Sequence, residues 1–472
     1  MLKNIIKILI LFATVAQSGC KKEFLDEKPE KALSIPTSIS DYQAILDNPT
    51  TTSSSVGDLR SGFNYEQPAL GEVSSDDFYV TDNAFNTDNP TRRNTYIWAK
   101  NIFESVDQEA EWNQPYQRIF FTNIVIEGIK KIKIHETKDA IPWNNVLGGA
   151  LFFRAYNHFV IAQQFCKVYD KSNAGSDLGI PLRLTANFNE KSVRPSIEET
   201  YKQILRDLRE SAAILPIETP SIPLYKLRPT KTAAFAMLAR VFLSMSEYDS
   251  AHVYSNKALS LYAELEHFKN FDDTQLFNPV PQFNKEVILM QSLGNYAFNN
   301  PTRAMTVDSL LYKQFDINDL RKSIYFGDFG GRTVFKGSYW GFILPLFSGL
   351  ATDELYLIRA ECLARKGNIN ASMQDLNILL AKRWKEGSYV NKTASNASEA
   401  LQSILLERRK ELCYRGLRWQ DLRRLNKEPE FAKTLTRKIM GTTYTLPPND
   451  PRYVFPIPPN VIALSGMQQN PR

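Results

Sequence analysis

Apolar residues recur at intervals of three and four along several stretches of this chain, which is the spacing of one buried face of an α-helix. The first two stretches cover residues 112–134 and 144–168, and Pro142 lies between them, where a helix is predicted to start. A third stretch begins at Ser196, and Glu199 three residues later completes a capping box. These patterns predict consecutive amphipathic helices through this part of the chain.

Small residues occupy packing positions in two later helical stretches. Residues 232–261 are predicted to form two helices with a break near Ser246, and residues 353–383 form two more that meet at Gly367. The pattern is similar to a tetratricopeptide helix-turn-helix, in which small side chains let two helices pack closely. Because no low-complexity linker divides the chain, residues 41–472 are expected to form a single domain. We predict a mainly α fold with long irregular loop insertions, whose tetratricopeptide-like units lie near three ranges: 112–168, 196–261 and 353–425.

The first twenty residues have the layout of an export signal, with a basic start, an apolar core over residues 8–16 and small residues before Cys20. This core is shorter than the ~20 apolar residues that a membrane span needs. The segment ends in Gln17-Ser18-Gly19-Cys20, which is similar to the lipobox of bacterial lipoproteins, although Gln17 stands where an aliphatic residue is usual. The sequence predicts a signal peptide over residues 1–19, lipidation at Cys20 and a polar tether up to residue 40. The alternative is an ordinary secretory signal with a chance cysteine.

Charge and cysteine content exclude several classes of function. The formal net charge of +6 falls to +4 when Lys3 and Lys7 leave with the signal peptide, and no long basic run remains. We therefore expect no nucleic-acid partner. Cys166, Cys362 and Cys413 are widely spaced and the chain has only 4 histidines, so we predict neither a disulfide framework nor a zinc site. We expect no cofactor, and the three cysteines should fill core positions.

Short motifs follow one another in a particular order along the mature chain. The earlier ones are Phe24-Leu25-Asp26-x-x-Pro29, Glu72-x-x-Ser75-Asp76-Asp77, Trp112-x-x-x-Tyr116-x-x-Ile119-x-x-x-Asn123, Phe153-Arg154-Ala155-Tyr156, Gly179-Ile180-Pro181-Leu182 and Tyr201-x-x-Ile204-x-x-Asp207-Leu208. The later and more specific ones are Glu407-Arg408-Arg409-Lys410-Glu411-Leu412, Gly416-Leu417-Arg418-Trp419-x-Asp421-Leu422-x-Arg424, Phe455-Pro456-Ile457-Pro458 and Gln469-Asn470-Pro471. This order resembles the SusD/RagB family of Bacteroidetes surface lipoproteins. Arg415 departs from the family, which often has glutamate there, so a local ion pair could be missing.

The resemblance implies a function in polysaccharide utilisation. Members of this family are lipid-anchored on the outer membrane, face the exterior, and deliver nutrients to SusC-like TonB-dependent transporters. It therefore implies a glycan or another nutrient as ligand, such a transporter as partner, and no catalysis. The helical scaffold leaves a second interpretation open, in which the protein is an adaptor lipoprotein whose tetratricopeptide face binds peptide or protein cargo.

Two groups of charged residues could be mistaken for a ligand site. The run 407–424 alternates arginine and carboxylate with leucine and tryptophan, which favours a buried structural network over a substrate clamp. A glycoside hydrolase needs two carboxylates about 5–10 Å apart across the sugar, and adjacent Asp76 and Asp77 point in different directions. We therefore predict no enzyme and no catalytic residue. Acidic loop residues such as Asp272 and Asp273 leave calcium binding open.

Binding a glycan requires flat aromatic rings for the apolar faces of the sugar and polar side chains for its hydroxyls. Aromatic residues within helices are expected in the core, so loop aromatics are the better candidates. The first cluster of candidate ligand residues contains Asp76, Asp77, Tyr79, Tyr96 and Trp98, with Arg92, Arg93 and Asn94 nearby. The second contains Tyr296, Tyr339 and Trp340, with Asn299, Asn300 and Arg332.

Overall fold

The computed structural model describes residues 36–47, 63–104, 110–134, 136–217 and 226–472. The predicted signal peptide, Cys20 and most of the predicted tether lie outside these ranges. Ile39–Arg472 forms one compact unit, and the candidate site lies within it.

Sixteen α-helices occur in the described residues. In chain order they are α1 (Ile39–Asp47), α2 (Leu70–Ser74), α3 (Asp82–Thr87), α4 (Pro90–Tyr96), α5 (Ala110–Ile129), α6 (Thr137–Phe165), α7 (Ile197–Ile214), α8 (Lys231–Ser244), α9 (Tyr248–Leu261), α10 (Ser309–Tyr312), α11 (Arg321–Tyr325), α12 (Thr352–Arg365), α13 (Ile369–Leu380), α14 (Ala397–Glu411), α15 (Arg418–Leu425) and α16 (Pro459–Ser465).

The longer helices pack against their neighbours in the chain and build the scaffold. Helix α5 packs on α6, α6 on α7, α8 on α9, and α12 on α13 and α14, while α9 and α12 join the earlier pairs to the later ones. Small side chains make the close approach possible, because Ala233, Ala234 and Ala239 of α8 and Ala360 and Ala364 of α12 are all fully buried. The prediction of a mainly α, tetratricopeptide-like fold is confirmed.

Helix ends follow the local sequence closely. The Glu199 amide donates to Ser196 Oγ at 3.1 Å and the Ser196 amide donates to the Glu199 carboxylate at 2.9 Å, so the predicted capping box is present. The predicted breaks also occur, since Ser246 and Gly367 both adopt left-handed backbone conformations with φ of 59° and 79°.

Pro142 does not begin a helix, so this prediction was wrong. Helix α6 begins at Thr137 and continues through Pro142, which lies inside it. A proline there removes one backbone hydrogen bond. A tertiary contact helps to hold the first turns of the helix, because the neighbouring Trp143 indole donates to the Ile129 carbonyl of α5 at 2.9 Å.

Eight short strands form four two-stranded antiparallel sheets in the described part of the chain. The strands are β1 (Phe78–Tyr79), β2 (Val287–Leu289), β3 (Thr306–Val307), β4 (Phe326–Phe329), β5 (Arg332–Phe335), β6 (Leu350–Ala351), β7 (Leu435–Ile439) and β8 (Thr442–Leu446). The pairs are β1 with β3, β2 with β6, β4 with β5, and β7 with β8. Most of them belong to the insertions between scaffold helices, and two of the pairs position the candidate site.

Among the helices within the described ranges, none combines the length and the apolar character needed to cross a membrane.

Candidate functional site

A cavity of about 400 Å³ brings together four residues of the first predicted cluster. We call it the Tyr79 cavity. The predicted residues that line it are Asp76, Tyr79, Tyr96 and Trp98. The other lining residues are Phe78, Val80, Asp308, Leu310, Lys433, Thr434, Leu435, Thr436, Arg437 and Lys438. Most of the first cluster, which spans 23 positions of sequence from residue 76 to residue 98, therefore converges on one cavity.

Strand β1 places the Tyr79 ring toward solvent. Side chains alternate across a strand, so Phe78 is buried while Tyr79 is 46% exposed. Strand β1 pairs with β3 through Phe78 with Val307 and Tyr79 with Thr306. Asp308 follows β3 directly, and Leu310 lies in the short helix α10 that comes next. Leu310 is 63% exposed, and the side chains of Tyr79 and Leu310 together give the cavity an accessible apolar edge.

Strand β7 supplies the opposite, more polar part of the lining. Its residues alternate regularly between buried and exposed. The inward residues are Leu435, Arg437 and Ile439, and the exposed ones in and beside the strand are Thr434, Thr436 and Lys438. Hydroxyl and ammonium groups therefore lie along the lining that also contains the Tyr79 ring.

Tyr96 and Trp98 form the buried support of the cavity. They are 1% and 2% exposed, the Trp98 indole donates to the Ser74 carbonyl at 3.0 Å, and the Val80 amide donates to the Tyr96 hydroxyl at 3.1 Å. Their ring faces are covered by protein, so in this structure they hold the lining in place rather than offering a stacking surface. The expectation that they contact ligand stays a prediction.

Asp76 is held in an ion cluster beside the cavity. Its carboxylate accepts from Arg418 at 2.6 and 3.0 Å and from Lys433 at 2.6 Å, and Arg409 lies 3.2 Å away. Burial alone would raise the pKa of Asp76, but Arg418, Arg409 and Lys433 bring that pKa well below its usual value. Asp76 is therefore ionised at neutral pH and already paired with cations.

Asp77 lies behind the cavity and does not line it. It is fully buried, and its backbone carbonyl accepts from the Tyr414 hydroxyl at 2.7 Å and from the Asp308 amide at 2.9 Å. Burial raises the pKa of Asp77 to about 6, although Arg409 opposes the shift. The neighbouring Glu72 is affected more strongly, because burial and the charge of Asp77 raise the pKa of Glu72 to about 8.

The second predicted cluster is packed inside the protein. Tyr339 and Trp340 are 1% and 4% exposed, and the Tyr339 hydroxyl donates to the Glu286 carboxylate at 2.8 Å. Tyr296 is half-buried: its hydroxyl donates to Glu111, and the Arg92 guanidinium covers its ring at 4.4 Å from the centroid. Ligand contact by these three residues stays a prediction, but in this structure the hydroxyls of Tyr296 and Tyr339 bond to protein.

The polar neighbours of that cluster are also engaged internally. The Asn299 side chain accepts from the Tyr296 amide and donates to the Gly294 carbonyl, while Arg332 donates to the carbonyls of Met305 and Pro301. These bonds fix the path of the loop.

The run 407–424 forms the predicted structural network. Arg321 lies between Asp319, Glu407 and Glu411 at 2.7–2.9 Å, and Arg383 bonds to Glu411 and Glu286, all fully buried. Arg415, the departure from the family pattern, also has a partner, because it pairs with Asp353 at 2.7 Å and lies over the Tyr339 ring.

Glu286, Asp353 and Glu411 have carboxylate oxygens within 4.8 Å of one another, a spacing that would suit a cation. The positive charge at this place is supplied by arginine, since Arg383 bonds to the first and third of these carboxylates and Arg415 to the second. The trio is accounted for by the ion-pair network, and we assign no metal to it.

Exposed aromatic rings identify a residue that the sequence analysis missed. In the described ranges four aromatic side chains are strongly exposed: Tyr79, Phe188, Phe277 and Phe342. Tyr79 lines the cavity described above, and Phe188 lines a second cavity. Phe188 lies in the insertion between α6 and α7, where the polar neighbours Asn187, Asn189 and Glu190 indicate an exposed loop position.

Comparison with known proteins agrees with this architecture. A family model described as starch-binding associating with outer membrane matches residues 23–243, and the model of the SusD family matches residues 353–472. No curated protein matches this chain.

Solved structures with the same fold cover nearly all of the chain. A SusD superfamily protein of Bacteroides thetaiotaomicron is 20% identical with a TM-score of 0.72, over 92% of this chain and 100% of that one. A SusD superfamily protein of Bacteroides vulgatus is 21% identical with a TM-score of 0.68, over 92% and 98%. A SusD-like carbohydrate binding protein of Bacteroides vulgatus is 19% identical with a TM-score of 0.62, over 90% and 94%.

Proposed function

The chain belongs to the SusD/RagB family, and from this membership we propose that it binds a glycan at the outer-membrane surface and passes it to a SusC-like TonB-dependent transporter. The description of the family model that matches residues 23–243 and the name of the Bacteroides vulgatus carbohydrate binding protein support carbohydrate as the ligand class. We propose that the protein acts by binding alone, because Asp76 is paired with Arg418 and Lys433, and Asp77 is buried outside the cavity.

The observation that carries the proposal is the exposed Tyr79 ring in a cavity with hydroxyl and cationic side chains. Sugar rings present apolar C–H faces and directional hydroxyls, and a site for them combines a flat apolar surface with a few placed polar groups. The Tyr79 ring supplies the first, and Thr434, Thr436 and Lys438 supply the second. Tyr96 and Trp98 act behind this surface by holding it rigid.

The expected affinity is weak to moderate. One stacked sugar would remove roughly 60–80 Å² of apolar surface from water, which contributes about 2 kcal/mol at roughly 25 cal/mol per Å². A complex with a Kd of about 1 mM needs about 4 kcal/mol, so hydrogen bonds must supply the rest. Such affinity suits a protein that has to release its cargo to a transporter.

Calorimetric titration of the full protein against a panel of oligosaccharides tests the proposal. The Tyr79→Ala variant should lose about tenfold or more in affinity for the sugar that binds, because about 1.4 kcal/mol corresponds to a factor of ten. Phe277→Ala is the matched control, since Phe277 is 50% exposed and lies outside the Tyr79 cavity. Absence of binding across the panel would contradict the glycan proposal.

Anchoring is tested separately. We propose that diacylglycerol at Cys20 holds the protein on the outer membrane, where more than one acyl chain gives stable attachment. A Cys20→Ser variant should then move from the membrane fraction to the soluble fraction of the cell envelope. If it stays in the membrane fraction after a wash that releases proteins held by the transporter, the anchor lies elsewhere.

A second candidate function rests on the tetratricopeptide-like helical pairs. Such pairs form concave surfaces that bind peptides, so the protein could act as an adaptor for peptide or protein cargo. Binding of peptides but not sugars in the same titrations would favour this adaptor.

A further inference from the structure

A second cavity, of about 360 Å³, lies beside the first tetratricopeptide-like unit. We call it the Phe188 groove. Four aromatic side chains line it: Trp112, Tyr116 and Phe120 from α5, and Phe188 from the loop between α6 and α7. Polar side chains, including Gln117 and Arg183, belong to the same lining. The groove shares no lining residue with the Tyr79 cavity, so the two are independent parts of the surface.

Phe188 is the most exposed aromatic side chain in the described residues, at 81%. Burying a phenylalanine stabilises a protein by about 1.5–3 kcal/mol, so leaving this ring in water forgoes that gain. Of the other lining rings, Phe120 is half-buried and Trp112 is 5% exposed. The lining of the groove therefore contains both a strongly exposed aromatic ring and buried ones.

The loop that carries Phe188 is fixed by a buried polar network. The Asn123 side chain donates to the carbonyls of Arg183 and Thr185 at 3.1 and 2.9 Å. Arg154 in turn donates to Asn123 Oδ1 at 3.1 Å and pairs with Asp207 through two bonds of 2.8 Å. All three network residues, Asn123, Arg154 and Asp207, are buried, and they belong to motifs singled out in the sequence.

A further bond ties the start of the loop to the groove itself. The Tyr116 hydroxyl donates to the Pro181 carbonyl at 2.9 Å, so one ring of the groove also anchors the segment opposite it. Arg183 donates to Ser192 Oγ at 2.5 Å and to the Glu190 carbonyl, which closes the loop on itself. The position of Phe188 is thus set by bonds at both ends of its loop, and its exposure is built into the structure.

From this arrangement we propose that the Phe188 groove is a second carbohydrate-binding site, which takes a pyranose of an oligosaccharide against the Phe188 and Phe120 rings. Aromatic rings beside hydrogen-bonding side chains provide the same chemistry as the Tyr79 cavity. Preorganisation favours binding because little loop entropy is lost when the ligand arrives. The inference rests on the proposed function for its ligand class, but not on the Tyr79 cavity for its geometry.

Titration with the same oligosaccharide panel tests this inference, using the full protein, Tyr79→Ala, Phe188→Ala and the double variant. In the wild type both sites should bind sugar. Each single variant should weaken binding about tenfold or more at its own site and leave the other site unchanged, and the double variant should show no measurable binding. Because Phe188 is so exposed, its variant should keep the wild-type melting temperature, and Phe277→Ala again serves as the control.

The outcomes separate the two proposals. If Tyr79→Ala abolishes binding and Phe188→Ala changes nothing, the groove is not a sugar site while the proposed function stands. If Phe188→Ala abolishes binding and Tyr79→Ala does not, the groove is the principal site. If the wild type binds no sugar, the proposed function fails, and the inference fails with it. Peptide binding that Phe188→Ala removes would overturn the carbohydrate assignment of the groove.

Discussion

The guanidinium carbon of Arg437 lies 3.6 Å from the centroid of the Tyr96 ring, and the same group is 4.6 Å from the Trp98 ring. Arg437 also donates to the backbone carbonyls of Tyr96 and Ser75. Strand β7 is therefore joined through a single buried cation to the segment that carries two of the predicted aromatic residues. Burial lowers the pKa of Arg437 to about 10, so the side chain remains charged at neutral pH.

Removing this cation should destabilise the protein. In Arg437→Met two buried carbonyls lose their donor and the aromatic rings lose a cation–π contact, so the free energy of unfolding should fall by about 2–4 kcal/mol. Urea denaturation followed by circular dichroism measures the change. Lys438→Met, at the neighbouring exposed position, should shift it by less than about 0.5 kcal/mol. Equal stability of the two variants would show that Arg437 does not hold the cavity.

The buried network around Arg321 should be more costly to break. In Arg321→Met the carboxylates of Asp319, Glu407 and Glu411 lose a shared partner in the interior, and an uncompensated buried charge typically costs about 3–5 kcal/mol. The exposed pair Lys269–Glu386 offers a control, because surface ion pairs contribute about 0–1 kcal/mol. Thermal unfolding of Arg321→Met and Lys269→Met should therefore differ clearly, and similar melting temperatures would contradict a structural role for the network.

Glu72 should make stability depend on pH. Its pKa is raised from 4.5 to about 8 in the folded protein, so between these values the folded state holds a proton that the unfolded chain has lost. The contribution of Glu72 to the free energy of unfolding is therefore largest below about pH 4.5 and decreases as the pH rises toward 8.

Glu72→Gln removes this titration while its side-chain oxygen can still accept from the Gly416 amide, as Glu72 does at 3.0 Å. Between pH 5 and pH 8 the variant should lose at least about 1 kcal/mol less stability than the wild type, because one pKa unit corresponds to about 1.4 kcal/mol. Urea titrations at the two pH values give the comparison. Parallel pH profiles for the two proteins would mean that Glu72 is already ionised in the folded state.

Periodicity and capping predicted most of the scaffold, although the start of α6 was misplaced at Pro142. Helices α7, α9 and α13 bury one face each, whereas α6, α8 and α12 are buried on nearly all sides. The Ser196 capping box and the Gly367 turn depend only on neighbouring residues, so local sequence determines them. The structural role of the run 407–424 was also predictable. Its arginines and carboxylates alternate with apolar residues, and this alternation brings the charged side chains into the interior.

The exposure of individual loop rings was not predictable in the same way. Trp98 and Tyr339 were candidates for the same reason as Tyr79, because all three lie outside the long helices, but Trp98 and Tyr339 are covered by Arg437 and Arg415, which lie far away in sequence. The local pattern around Tyr79 contains no information about β7, which completes the cavity from residues 433–438. The sequence was therefore enough to identify candidate aromatic residues. Identifying which of them are exposed to solvent required the contacts between residues that are far apart in sequence.

The hydrogen bonds of Asn123 connect helix α5 to the loop that carries Phe188, and they give a prediction for both. In Asn123→Ala the carbonyls of Arg183 and Thr185 lose their buried donor and Arg154 loses an acceptor, so the free energy of unfolding should fall by about 2–3 kcal/mol. Amide hydrogen exchange should also become faster in the loop around Phe188, because its anchor is gone. Lys191→Ala, in the same loop but exposed, is the matched control and should leave both quantities nearly unchanged. A destabilised Asn123→Ala protein whose loop exchanges at the wild-type rate would mean that the remaining bonds of Arg183 and Tyr116 suffice to fix Phe188.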